Sequence, residues 1–178
     1  MASSTDKSQP QPSMVDQNDV NDWVNRFNAT LADSTLVTAP SAPDARPWAE
    51  SFFGCFMPID TCLITCCVPC ITFGKTHHRV RKHGDMESYN CVNASCLLFT
   101  GFSCFGLHFI PTLFQRVDVR NKYNLQGDFL SDLFTSCCCA CCSIIQQDKE
   151  AEVREREIAE KAAAGYAKPQ GMSYQARG

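Results

Sequence analysis

Thirteen cysteines in three groups restrict the possible fold of this chain more than any other feature of its sequence. The groups are Cys55, Cys62, Cys66, Cys67 and Cys70; then Cys91, Cys96 and Cys104; then Cys137, Cys138, Cys139, Cys141 and Cys142. The odd number and the adjacent cysteines argue against a fully paired disulfide scaffold, because neighbouring side chains point in different directions. We therefore expect a reducing compartment, where such clusters bind metal, accept acyl chains or pack as thiols.

Residues 1–46 are dominated by Ser, Asp, Gln, Asn, Pro and Ala, and this composition predicts a mostly disordered N-terminal tail. The tail contains no apolar stretch of the length that a secretory signal peptide requires. A short amphipathic helix is predicted near 19–31, because apolar residues recur there at helical spacing. These residues are Val20, Trp23, Val24, Phe27 and Leu31. We expect this face to dock on protein, either the chain's own core or a partner.

Residues 47–150 form the predicted domain, in which long uncharged runs alternate with polar connectors. Asp60 is the only charged residue in 51–74, none occurs in 88–115, and Asp132 is the only one in 129–147. The whole chain carries a net charge of -3, so it has no basic field that would attract nucleic acid. We expect membrane lipids, instead, as partners of the uncharged runs.

The middle run, 88–115, is long enough to cross a bilayer but is interrupted by Gly101, Gly106 and Pro111. Basic residues flank it on both sides, which gives a single crossing no preferred orientation. The pattern fits a hairpin or re-entrant element that turns near 101–106 and keeps both ends in the cytosol. It fits equally well with a pair of apolar helices in a soluble domain. We favour association with a membrane, because an ordinary domain of this size has fewer uncharged runs.

Residues 146–164 are predicted to form a charged surface helix that continues from the domain. Ala, Glu, Lys and Arg dominate, and three acid-to-base pairs have the favourable spacing of four residues. The pairs are Glu150–Arg154, Glu152–Arg156 and Glu157–Lys161. Gly165 ends the predicted helix, and 165–178 is expected to be a disordered tail.

Two of the three cysteine groups have spacings that suit a metal ion. Cys62, Cys66 and Cys70 are four residues apart and would share one face of a helix, although Pro69 is expected to end or kink it. C-x-x-C pairs occur at 67–70, 138–141 and 139–142. Two such pairs, brought together in the fold, make a tetrahedral thiolate site that suits zinc.

Other interpretations of the cysteines, and of the histidines, remain open. Adjacent cysteines beside an apolar run are typical acceptors of S-acylation, whereas the scattered middle group is expected to pack as small apolar side chains. His77, His78 and His83 stand in a basic stretch that suits a connector at a membrane interface, or contact with a metal or a lipid headgroup. Asp60 and Asp132 suit helix caps or an ion path. The sequence contains no catalytic motif, so we expect no enzymatic activity.

Two segments, 61–75 and 137–150, resemble motifs of the placenta-specific-eight (cornifelin-like) family, which includes plant cadmium-resistance proteins and fruit-weight cell-number regulators. The first family motif is C-C-x-x-x-x-C-P-C followed by an Ile-Thr-Phe-Gly type of run, and the second is a C-x-x-C that leads into Gln and Glu. The matching residues are Cys62, Cys66, Pro69 and Cys70 in the first segment, and Cys139, Cys142, Gln146 and Glu150 in the second. Leu63 and Val68 stand where the family has cysteines.

The resemblance implies a membrane-associated protein, often of the plasma membrane, linked in plants to divalent-cation handling and organ size. We predict a mainly α, cysteine-rich helical domain with apolar hairpin-like segments, a disordered N-terminal tail and a charged C-terminal helix. The predicted function is to bind divalent metal ions such as zinc or cadmium, with transport as its extension. The predicted thiolate ligands are Cys62, Cys66, Cys70, Cys139 and Cys142.

Two alternatives accompany this prediction. One is an S-acylated membrane adaptor or regulatory protein without metal chemistry, and the other is a soluble, zinc-stabilised interaction module. Besides membrane lipids and divalent ions, other proteins or a second copy of the chain are expected as partners.

Overall fold

Helices make up most of the protein in the computed structural model, which describes residues 15–166. In chain order they are α1 (Gln17–Ala32), α2 (Thr35–Thr38), a 3-10 helix (Phe52–Phe56), α3 (Ile59–Cys67), α4 (Pro69–Arg81), α5 (Ala94–Cys104), α6 (Phe109–Tyr123), α7 (Phe129–Cys138) and α8 (Ala140–Tyr166). The predicted mainly α fold is confirmed. The disorder predicted for 1–14 and for 167–178 falls outside the described residues.

Two sharp bends, the first and second elbows, separate α3 from α4 and α7 from α8. The helix axes turn by 112° at the first elbow and by 119° at the second. Pro69 begins α4, and because its ring disfavours helical backbone in the residue before it, the preceding helix ends there as predicted. The residue at each bend has nearly the same conformation, with φ -138° and ψ 70° at Val68 and φ -145° and ψ 80° at Cys139.

The two elbows are similar in sequence as well as in conformation, at an offset of 71 positions. Three cysteines of the first elbow, Cys66, Cys67 and Cys70, correspond to Cys137, Cys138 and Cys141 of the second. Buried hydroxyl residues also correspond, Thr65 and Thr72 in the first elbow and Ser136 and Ser143 in the second. The same pattern of cysteines and inward hydroxyls therefore builds the same bend twice.

The centre of the domain is formed by α4 and α8, which pack against each other and against most of the other helices. One apolar cluster joins Trp23, Phe73, Phe99 and Ile144, which come from α1, α4, α5 and α8. A second cluster joins Val80, Val119, Tyr123, Leu125 and Ala151. The core is thus shared by segments that are distant in sequence, and it holds the two elbows in place.

Helix α1 contains the predicted amphipathic helix 19–31 and packs on the chain's own core. Trp23 is 2% exposed, and its Nε1 donates a hydrogen bond of 2.9 Å to the hydroxyl of Ser95. Arg26 pairs with Asp118 on α6. Residues 15–46 were expected to be largely disordered, but the apolar face of α1 finds a partner within the domain and fixes the segment there.

The first half of α8 lies inside the protein, although its charged residues predicted a surface helix over 146–164. The fully buried carboxylate of Glu150 accepts a hydrogen bond of 2.7 Å from Nε of Arg154. Asp148 accepts from Nη1 of Arg79 on α4, also at 2.7 Å. These carboxylates are paired inside the domain, so the i, i+4 charge pattern was a poor guide to their exposure.

The uncharged middle run forms α5 and the first half of α6, which are joined by a turn at 105–108. Gly106 adopts φ 71° in this turn, so the run reverses close to the predicted position, 101–106. Within residues 15–166, no single helix has both the length and the apolarity to cross a membrane. Each elbow meets that criterion only when its two helices are counted together.

Candidate functional site

Thiols from both cysteine-rich elbows meet at one place in the fold. The Sγ atoms of Cys55 and Cys142 are 3.0 Å apart, although 87 positions separate the two residues. The thiol of Cys141, just after the second elbow, lies 3.7 Å from the carbonyl oxygen of Thr65, just before the first. The amide of Cys142 donates to the sulfur of Cys139 over 3.4 Å. The two bends therefore face each other through their cysteines.

Four cysteines, which we name the elbow thiols, are connected through pairwise interactions between neighbouring thiols. They are Cys62, Cys66, Cys139 and Cys141. Cys62 and Cys66, one helical turn apart on α3, interact with each other, and Cys66 also interacts with Cys141. Cys139 is close enough to both Cys62 and Cys141 to affect their ionisation. All thirteen cysteines are free thiols.

The structure thus places three of the five predicted ligands, Cys62, Cys66 and Cys139, in one cluster. Cys142 lies next to this cluster but pairs with Cys55. Cys70 instead interacts with Cys96 and packs against the apolar cluster of α4. The reason is the first elbow, which breaks the helical spacing of four residues that would have aligned Cys70 with the thiols of α3.

Sequence reasoning left two residues of this region, Cys55 and Cys141, out of the predicted ligand set. The sequence could have identified Cys141 as a ligand, because it is the second cysteine of the C-x-x-C pair at 138–141. No spacing in the sequence could have identified Cys55, since its contact with Cys142 depends on how the 3-10 helix packs on α8. Contacts of that kind follow from the tertiary fold and leave no local spacing in the sequence.

Burial favours the protonated form of two thiols that follow the second elbow, Cys141 and Cys142. Burial, assisted by the neighbouring thiol of Cys66, raises the pKa of Cys141 to about 11, and burial raises the pKa of Cys142 further still. Thiolates are the form that binds metal, so a bound ion would have to displace these protons. The donor chemistry suits a soft divalent ion. Across the residues that the structure describes, no group of three or more His, Cys, Asp or Glu side chains is already arranged around a metal position.

Two of the three histidines expected in an interfacial connector, His77 and His78, lie within α4 on its buried side, and His83 follows in an exposed turn. His77 is stacked on Trp23, with 4.8 Å between the ring centroids. Burial, with the nearby positive charges of Arg81 and Arg26, lowers the pKa of His77 to about 3. His78 is also buried and packs against Tyr89. The connector prediction is wrong for His77 and His78, because α4 is the central helix of the domain and α1 covers the side that carries His77.

Comparison with known proteins agrees with the two cysteine motifs. The chain belongs to the PLAC8 family, whose model matches residues 48–150, and this confirms the predicted resemblance. It is similar to Protein PLANT CADMIUM RESISTANCE 2 of Arabidopsis thaliana, with 35% identity over 112 residues that cover 60% of this chain and 68% of the relative. No solved structure matches the chain significantly.

A maize relative extends the similarity beyond the cadmium-resistance proteins. Cell number regulator 3 of Zea mays is 31% identical over 135 residues, which cover 72% of this chain and 80% of the relative. The names of these two relatives refer to cadmium resistance and to the regulation of cell number.

Proposed function

We propose that this chain is a non-enzymatic, membrane-associated protein that binds soft divalent metal ions, such as cadmium and zinc, at the elbow thiols. The observation that carries the proposal is the meeting of the two elbows, which brings Cys62 and Cys66 together with Cys139 and Cys141. Thiolates are the preferred ligands of both ions. Relatives whose names refer to cadmium resistance give the proposal independent support.

Binding in this proposal is coupled to loss of protons and to rotation of side chains. Cys66 is exposed and the other three elbow thiols are half-buried, so their side chains have room to turn toward a common ion. Because burial raises the pKa of Cys141, the metal competes with protons and its apparent affinity should increase as the pH rises. Transport of the ion across a membrane is an extension of the proposal that needs a further conformational step.

The membrane association in this proposal is supported by the long uncharged runs that form the elbows and α5. We place the protein at the cytosolic side of the plasma membrane, with both termini in the cytosol, because that compartment keeps the thiols reduced. Fractionation of cells that express the full chain tests this point. Recovery in the membrane pellet supports it, and full recovery in the cytosolic supernatant would favour the zinc-stabilised soluble module instead.

Metal analysis of the purified full-length protein tests the binding function. The protein is prepared under reducing conditions, titrated with cadmium or zinc near neutral pH, and freed of weakly held ions by gel filtration. We expect one tightly held ion per chain and an ultraviolet band from metal–thiolate charge transfer. Cys104→Ser, which changes an exposed cysteine of α5, serves as a control and should bind normally. A wild-type protein that holds neither ion overturns the proposal.

A second candidate function is that of an S-acylated membrane adaptor, and one observation favours it. Cys66–Cys67 and Cys137–Cys138 are adjacent exposed pairs, each at the end of an apolar helix. Such pairs are typical acyl acceptors when they lie at a membrane surface. Hydroxylamine-sensitive labelling with a fatty-acid analogue tests this function. Absence of label on protein that is still membrane-bound would count against it.

A further inference from the structure

The first helix of each elbow has its polar and apolar sides reversed relative to the usual arrangement of a soluble domain. On α3, Thr65 is completely buried, whereas Ile59 and Leu63 are 64% and 59% exposed. The inward hydroxyl of Thr65 is satisfied by the hydroxyl of Thr72, at 2.8 Å. A soluble helix normally buries its leucines and isoleucines and exposes its threonines, because burial of apolar surface drives folding in water.

Helix α7 shows the same reversal at the corresponding positions. Leu130 and Phe134 are 70% and 69% exposed, and they lie 71 positions after Ile59 and Leu63. Asp132 and Ser136 point inward and are buried. The repetition is informative because a single exposed leucine is common on protein surfaces. Two helices with the same inverted pattern indicate that the outward sides of both face the same kind of environment.

We propose that these outward sides of α3 and α7, the elbow face, insert among the acyl chains of one bilayer leaflet. The elbow face comprises Ile59, Leu63 and Cys67 on α3 and Leu130, Phe134, Cys137 and Cys138 on α7. The inference rests on the membrane association proposed above and names the surface that carries it.

Charge distribution favours lipid over water or a polar partner on this face. Each of the two helices contains a single charged residue. On α7 that residue, Asp132, is turned inward to Arg116 and Arg120. On α3 it is Asp60, which lies in the first turn. The preceding 3-10 segment continues the apolar surface with Phe53, Phe56 and Met57, all of them exposed. Aromatic and apolar side chains of this kind suit the boundary between headgroups and acyl chains.

Helix length determines how deep the elbow face can reach. At 1.5 Å per residue, the nine residues of α3 and the ten of α7 measure about 14 and 15 Å. That is about half of the roughly 30 Å hydrocarbon core of a bilayer. The chain turns back at each elbow into α4 and α8, whose buried ion pairs keep them within the protein. The face therefore enters one leaflet and does not cross.

Vesicle sedimentation of the full-length protein tests the inference. Neutral phosphatidylcholine vesicles are used so that electrostatic attraction contributes little, and protein produced in bacteria avoids affinity from acylation. We expect wild-type protein to bind, and the double variant Leu63→Glu/Phe134→Glu to bind at least roughly tenfold less, because a carboxylate in hydrocarbon is strongly disfavoured. Ile158→Glu is the matched control. This residue is similarly exposed but lies on the charged end of α8, so its variant should bind like wild type.

A depth measurement supports the same conclusion without introducing charge. Leu63→Trp and Phe134→Trp place a fluorophore on the elbow face, and vesicles made with acyl-chain-brominated phosphatidylcholine quench fluorophores that enter the hydrocarbon. We expect strong quenching for both variants, and no quenching beyond the wild-type level for Ile158→Trp. These variants keep the inference testable if the glutamate substitutions prevent folding.

The outcomes separate the inference from the proposed function. If wild-type protein does not bind vesicles at all, both the membrane association and the inference are overturned. If wild-type protein binds, but the glutamate variant binds equally well and the tryptophan variants are not quenched, the inference alone fails. If the glutamate variant only converts a dimer to a monomer, the elbow face is a contact between two copies and the inference fails as well.

Discussion

Arg116 of α6 donates a hydrogen bond of 2.9 Å from its Nε to Oδ1 of Asp132 on α7, and both side chains are almost completely buried. Arg120 contacts the other carboxylate oxygen at 3.0 Å. One carboxylate therefore balances two buried guanidinium groups and joins the second elbow to α6. This explains why a single charged residue interrupts the otherwise uncharged run 129–147. Asp132 lies in the first turn of α7, as its expected place near a helix start implied, but the N-cap of that helix is Asp128.

Replacing this carboxylate should be strongly destabilising. We expect Asp132→Asn to lower the free energy of unfolding by about 3–5 kcal/mol, because it leaves two buried cations without a counter-charge. Asp60→Asn is the control, since Asp60 lies in the first turn of the other elbow's helix but is exposed. Its effect should be within about 0.5 kcal/mol. Urea denaturation followed by circular dichroism measures both, and equal effects would contradict the role given to Asp132.

Gly74, in the Ile-Thr-Phe-Gly run of the first motif, packs closely against Asn93, the N-cap of α5. A methyl group on Gly74 would lie 2.5 Å from Oδ1 of Asn93. The same Oδ1 accepts from the amide of Cys96 and caps α5. Gly74→Ala should therefore lower the free energy of unfolding by about 1–3 kcal/mol, through overpacking and loss of the cap.

A second glycine provides the control for this prediction. Gly101 lies within α5 and has no neighbouring atom within 4 Å of the position that a methyl group would take. Gly101→Ala should raise the free energy of unfolding by about 0.5–1 kcal/mol, since alanine is the better helix former. Thermal or urea unfolding distinguishes the two. The account would be wrong if both substitutions were stabilising.

The buried His77 should make stability depend on acid. Its pKa is about 3 in the folded protein, against 6.5 for a free side chain. Below about pH 6.5, His77 therefore binds a proton in the unfolded chain but stays neutral in the folded protein. Asp22, the nearest carboxylate at 3.6 Å, does not prevent this, because it already pairs with Arg81 at 2.8 Å. The stability contributed by neutral His77 is complete above about pH 6.5 and is lost as the pH falls.

Between about pH 7 and pH 5, this effect should reduce the free energy of unfolding by about 1–2 kcal/mol. His77→Phe keeps a ring against Trp23 but cannot bind a proton, so that part of the pH dependence should disappear. His83→Asn is the control, because His83 lies in an exposed turn with φ 52°, a conformation that asparagine tolerates. An unchanged pH dependence in His77→Phe would contradict the assignment.

Local signals in the sequence predicted the helices well, and the first elbow through Pro69, but they did not predict what the helices bury. Helix spacing identified α1 and most of α8, because apolar and charged residues recur there with the helical period. The same signals failed for Glu150 and His77, which look like surface residues and are buried because α4 and α8 form the centre of the domain. Charge patterns indicate helix formation, whereas burial depends on partners that are distant in the sequence.

The predicted metal ligands show the same limit. Cys62 and Cys66 were identified from spacing on one helix, and the structure keeps them together. Cys70 was included by extending that spacing across Pro69, and the bend sends it to Cys96 instead. The contact between the two elbows joins residues more than 70 positions apart, and only packing of the complete domain produces it.

Cadmium binding by paired cysteine variants tests most directly whether the two elbows form one site. Cys62→Ser/Cys66→Ser removes the two elbow thiols that lie on α3. Cys139→Ser/Cys141→Ser removes the two at the second elbow. Cys91→Ser/Cys104→Ser changes two exposed cysteines outside the elbow thiols and is the control. Each protein is titrated with cadmium in competition with a chelator of known affinity, and the bound ion is counted.

If the site is shared, the wild type and the control should hold one ion per chain. Each elbow variant should lose affinity by more than the roughly 100-fold that removal of an outer-shell partner causes. Combining the two pairs of substitutions should cause little further loss of cadmium affinity, because either pair alone already destroys the single shared site. Two ions in the wild type, with each elbow variant losing only one of them, would show two independent sites and contradict the account.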